Sequence, residues 1–65
     1  MLKKLNIGSI IKFKYDYFPG KKDQAAVVIN IENNIYNIRF DWIDRQKYTE
    51  LYIHALGMNK YFYSD

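Results

Sequence analysis

Lys12, Lys14, Lys21 and Lys22, with Tyr17 and Phe18 between them, are the residues whose types and spacing come closest to a chemical purpose. Lys12 and Lys14 are two positions apart, so an extended backbone projects both ammonium groups from one face. Lys21 and Lys22 follow in a turn. Positive charge beside flat apolar rings suits a phosphate backbone with stacked bases, or an acidic protein groove. These six residues are the expected partner-binding site. The same lysines would also serve as a solvated strand face that keeps an exposed edge from pairing.

Catalytic groupings are missing from the sequence. His54 is the one histidine and there is no cysteine, so no pair of soft ligands can share a metal. Asp41 and Asp44 lie near each other, but nothing around them resembles the apolar setting that turns a carboxylate into a general acid. They read as turn formers. The three glycines are isolated, so no phosphate-cradling loop exists. Ser9 and Ser64 have no base nearby in sequence. The expectation is a protein that is not an enzyme, with no cofactor and no metal site.

Charge is divided along the chain. Residues 1–22 carry six lysines against Asp16, a net +5, while residues 23–65 carry a net −2, for +3 overall. No second basic patch competes with the first. Lysine, asparagine, isoleucine and tyrosine are all abundant, and AT-rich codons encode them. This suggests a low-GC bacterium, its phage or its plasmid.

The elements that must position these groups are short strands. Ile10–Phe18 follows Gly8-Ser9 and ends at Pro19-Gly20. Gln24–Glu32 ends at Asn33-Asn34, and Ile35–Trp42 begins at once. Each break carries Gly, Pro, Asn or Asp. Alternation places Ile11, Phe13, Tyr15 and Tyr17 on one face of the first strand, with Ile10, Lys12, Lys14 and Asp16 on the other. On the third strand Tyr36, Ile38, Phe40 and Trp42 alternate against Ile35, Asn37, Arg39 and Asp41. The second strand is apolar on both faces at its start, and Val27, Ile29 and Ile31 are assigned inward. A fourth strand is predicted over about Thr49–Leu56, broken by Gly57. Met58–Tyr63 is predicted as a short fifth strand against the first. The expected core is Ile11, Phe13, Val27, Ile29, Ile38, Phe40, Leu51 and Ile53.

Sixty-five residues allow one domain, here 1–65. So short a chain buries only about 60% of its unfolded surface. Its twelve aromatic residues must compensate, yet they exceed what one small core can hold. Some are therefore expected at the surface, as base-stacking platforms or protein-interface anchors. Tyr15, Tyr17, Tyr36 and Trp42 could frame a cation cage.

Five short strands in this length fit an all-β, strongly bent antiparallel sheet, a small five-stranded SH3-like barrel, better than a sandwich. Residues 5–18 resemble the opening of SH3-like barrels of the Tudor and KOW kinds, where a hydrophobic residue, a glycine and an alternating strand begin the fold. Tyr36-Asn37-Ile38-Arg39-Phe40-Asp41 resembles the third strand of Tudor-like domains. Gly8–Phe13, Pro19-Gly20, Gln24 and Ala26–Ile29 are similar to the start of MazF/PemK toxins, which are SH3-like endoribonucleases. The arginine–proline pair of that family is replaced by Asp23-Gln24 or Gln24-Ala25, so its catalytic arginine has no counterpart.

The longest apolar run, Ala25–Ile29, is far short of the ~20 residues that span a bilayer. Polar residues interrupt any signal-peptide core after Lys3-Lys4. The expectation is a cytoplasmic, whole small gene product that binds no membrane. Its expected role is a phage- or mobile-element-type regulator or inhibitor that occludes a protein partner. Nucleic-acid binding through the basic first strand, and a homodimer through an open edge, stay as alternatives.

Overall fold

In a computed structural model the described residues of the chain form one antiparallel sheet of five strands and one short helix. The structure describes residues 4–16, 20, 22–42 and 47–64. The elements are β1 (Ile10–Phe13), β2 (Ala25–Glu32), β3 (Ile35–Trp42), β4 (Lys47–His54), α1 (Ala55–Tyr61) and β5 (Phe62–Tyr63). The strand order is β4-β3-β2-β1-β5, so β4 and β5 are the two edges and the sheet is not closed.

The β2–β3 hairpin follows directly from its sequence. Asn33 and Asn34 both take positive φ, 50° and 64°. Two left-handed residues in succession make the turn whose twist matches the flanking strands, and asparagine tolerates that region better than most side chains.

β1 stops five residues short of the predicted Ile10–Phe18. Phe13 is the last position with neighbours on both sides. Its N–H donates to Gln24 O at 3.2 Å and its carbonyl accepts from Asp23 N at 2.9 Å. The Lys14 N–H donates to Tyr61 O at 2.9 Å, and the backbone then bends away. It rejoins at Lys22, whose N–H donates to Asp16 Oδ1 at 2.7 Å. Tyr15 is therefore 60% exposed rather than inward. Tyr17 lies outside the described residues.

On β2 the inward face is the opposite of the one predicted. Ala26 and Val28 are buried, and Val27 and Ile29 are not. Opposed residues in an antiparallel pair share a face, and Val28 stands opposite Ile38 on β3 and Ala26 opposite Ile11 on β1. A bulge then restores the predicted parity further along. The register runs Val28↔Ile38 and next Asn30↔Asn37, leaving Ile29 as the extra residue. Ile31, beyond the bulge, packs against the core opposite Tyr36.

The predicted strand over Met58–Tyr63 is mostly helix. His54 caps α1, its Nδ1 accepting from the Leu56 N–H at 3.1 Å. Ala55 N–H donates to Asn34 O at 2.7 Å, which anchors the helix start to the β2–β3 turn. Met58 and Tyr61, one helical turn apart, face the sheet. Only Phe62 and Tyr63 are extended, and they pair with β1 as Phe13↔Phe62 and Lys12↔Tyr63. Tyr63 OH donates to Asp23 Oδ1 at 2.7 Å, tying β5 to the approach to β2.

The core thus comprises Ile11, Phe13, Ala26, Val28, Ile38, Phe40, Met58 and Phe62, with Leu51 and Ile53 at its margin. Phe13 sits among aromatic neighbours, 5.0 Å from the Phe40 ring at 87° and 4.8 Å from Phe62 at 46°.

Candidate functional site

The inverted facing of β2 changes what the outer face of the sheet offers. Ile10 stands directly opposite Val27, and both point outward. Ile10 is 59% exposed. The preceding turn brings a further isoleucine to the same end of β1. Asn6 N–H donates to Ser9 Oγ at 2.9 Å, and Ser9 N–H returns to Asn6 O at 3.0 Å. Gly8, at a φ of 95°, donates its N–H to Val28 O at 2.7 Å. This geometry pins the turn against β2 and holds Ile7 63% exposed. Single exposed apolar residues are ordinary on a protein surface. Here two large ones and Val27 fall on neighbouring backbone in a chain with little apolar area to spare. Leaving an isoleucine largely exposed forgoes on the order of 1 kcal/mol of burial.

Cations border this patch. Lys12 follows Ile10 on the same face, opposite Ala25 on one side and Tyr63 on the other. Arg39 stands opposite Val27. Its guanidinium carbon lies 3.9 Å from the Tyr48 ring centroid, and its Nε is 3.4 Å from Asp41 Oδ1. The stacking and the carboxylate hold the arginine in place. The ion pair itself is exposed and contributes little stability.

Beyond Arg39 the charge turns mixed. Glu50 is opposite Arg39, and Tyr48 is opposite Asp41. Tyr48 and Tyr52 are 52% and 69% exposed, with Asp41 opposite Tyr48 and Glu50 between the two tyrosines on the same face of β4. Tyr48 is already covered by the Arg39 guanidinium, and Glu50 and Asp41 beside the two rings repel a phosphate backbone, an unfavourable arrangement for single-stranded nucleic acid.

Of the six expected site residues, Lys12, Lys14 and Lys22 are among the described residues. Lys12 is half-buried on the outer face and Lys22 is exposed beyond Phe13. Lys14 donates from its ammonium to the carbonyl oxygen of Asn59, in the last turn of α1. A cation there satisfies one of the helix's terminal carbonyls and opposes its dipole. Tyr17, Phe18 and Lys21 lie outside the described residues. Of the cation cage, Tyr36 packs on the core from the inner face while Tyr15 is exposed beyond β1. The cage's Tyr17 and the Trp42 side chain are not among the described groups. Lys14→Ala is expected to lower stability by about 0.5–1.5 kcal/mol through the loss of this helix-end contact, read as a shift in the urea midpoint.

Alternation does not reveal the apolar patch, because it assigns Val27 to the core and Ile7 to no strand. A usable signal existed in the unpatterned run Ala25–Ile29, where both faces of β2 carry apolar side chains.

Among the described residues no three histidine, aspartate or glutamate side chains come together, and no helix is long and apolar enough to cross a membrane. No protein-family model matches the chain, and no curated protein or solved structure matches it either.

Proposed function

We propose that the chain is a small non-enzymatic binding protein that occludes the working surface of a protein partner, and that it docks through the outer face of β1 and β2. The observation that carries this reading is the Ile10–Val27 pair, with exposed Ile7 in the turn before it and Lys12 and Arg39 at its border. An apolar centre within a charged rim is the anatomy of a protein interface. Aliphatic side chains give a nucleobase no ring to stack on, whereas they suit an apolar spot on another protein. The basic border selects a partner whose own rim is acidic.

The proposal extends to architecture and setting. The sheet, whose β4 and β5 edges are not paired with each other, is read as an SH3-like barrel left open. The composition fits a cytoplasmic regulator from a phage or mobile element of a low-GC bacterium.

Salt and nuclease test the choice of partner class. Binding to an acidic protein surface survives nuclease and weakens only modestly with salt. Binding to nucleic acid disappears with nuclease and falls steeply with salt as counterions are no longer released to advantage. The second outcome would replace the proposal with its alternative.

A further inference from the structure

We infer that two copies of this chain pair through their β4 edges, antiparallel and centred on Tyr52. β4 is a full eight-residue strand, yet among the named strands it is bonded to β3 alone. A long strand at a sheet edge is a template for another strand. Along it runs a mainly apolar groove of about 480 Å³, whose lining includes Leu51, Ile53, Tyr61 and Phe62 together with Tyr52 and His54 of the edge strand itself. An added strand would lay alternate side chains into that groove while its backbone bonded the edge.

The sequence of β4 makes a second copy the fitting occupant. Opposed residues share a face, so a symmetric pair of strands must be centred on one residue. Centring on Glu50 sets Glu50 against itself. Centring on Leu51 opposes no charges. Centring on Tyr52 stacks the two tyrosines on the axis and sets Glu50 opposite the partner's His54, twice. The His54 Nδ1 accepts from Leu56 N–H, so Nε2 is the ring nitrogen that carries the hydrogen. Glu50 can therefore accept a hydrogen bond from Nε2 of the partner's His54. On the inner face the same register sets Leu51 against the partner's Ile53, over the groove.

This pairing leaves the β1–β2 face uncovered. It does not depend on the proposed partner binding, and either can fail alone. Sedimentation velocity on the full chain, across a wide concentration range, tests it with paired substitutions. The wild-type chain is expected to dimerise. Tyr52→Lys and Tyr52→Asp each put like charges on the axis and are expected to weaken the dimer by about tenfold or more. An equal mixture of the two is expected to recover a heterodimer. Tyr52 is 69% exposed, so both variants should fold. If they do not, Glu50→Lys should weaken the dimer and Glu50→Lys combined with His54→Asp should restore it, since aspartate also caps a helix well. A wild-type chain that stays monomeric, a dimer indifferent to Tyr52→Lys, or a charge-swapped pair with no recovery each overturns the inference.

Discussion

Phe13→Ala is expected to remove a large share of the domain's stability, read as a large fall in the urea midpoint or as loss of the cooperative transition. Phe13 is 1% exposed and is the point where β1, β3 and β5 meet. Its ring touches Phe40 edge-on and Phe62 at a tilt, so its removal strips two aromatic contacts as well as its own burial. Truncating a buried phenylalanine costs about 3–5 kcal/mol. A domain of this size has a total stability of roughly 3–10 kcal/mol, scaling from about 0.05–0.15 kcal/mol per residue. No disulfide offsets the loss, since the chain has no cysteine. Phe40→Ala attacks the same cluster from β3 and should behave alike. Near-ultraviolet circular dichroism with a urea titration reads the outcome. An unchanged transition would mean that the aromatic cluster is not the centre of the fold.

A matched pair on β2 gives the second large effect. Val28→Asp is expected to unfold the protein, and Val27→Asp to leave it folded. Val28 is fully buried, opposite Ile38 on one side and bonded to the Gly8-Ser9 turn on the other, where a carboxylate has no partner. Val27 points outward opposite Ile10, where a carboxylate stays hydrated at a cost of about 1 kcal/mol or less in strand preference. The two substitutions are chemically identical and adjacent in the chain, so composition cannot explain a difference. The reverse result, with Val27→Asp unfolded and Val28→Asp folded, would restore the facing that alternation alone suggests and remove the outer apolar patch.

That pair also marks where the sequence stops being legible. On β3, Tyr36, Ile38 and Phe40 alternate against Asn37, Arg39 and Asp41, so facing is fixed by polarity before any partner strand is known. The Asn33-Asn34 turn is equally explicit, because both residues accept left-handed backbone. β2 begins Ala-Ala-Val-Val-Ile, and both of its faces are apolar. Its facing is decided only by register against Ile11 and Ile38, which is a long-range property. The bulge at Ile29 then breaks the period partway along. The misread C-terminal segment has a different cause. Gly57 looks like a strand terminator and Tyr61-Phe62-Tyr63 like a strand, while the capping side chain is a histidine rather than the usual Ser, Thr, Asp or Asn. Tertiary packing of Met58 against the sheet overrides those local signals.

Of the expected site, Lys12 is where alternation placed it, at the border of an apolar patch that alternation did not reveal. Lys14 could not be separated from Lys12 by sequence, because its engagement with Asn59 spans 45 positions.

The most direct test of the account is capture of a partner by the immobilised full chain from a nuclease-treated low-GC bacterial lysate, comparing wild type with Ile7→Ser/Ile10→Ser. Both positions are largely exposed, so the variant should share the wild-type unfolding curve within about 1 kcal/mol. The account predicts that a protein retained by wild type is lost from the variant. Equal retention by both would contradict it and move the binding surface away from β1 and β2.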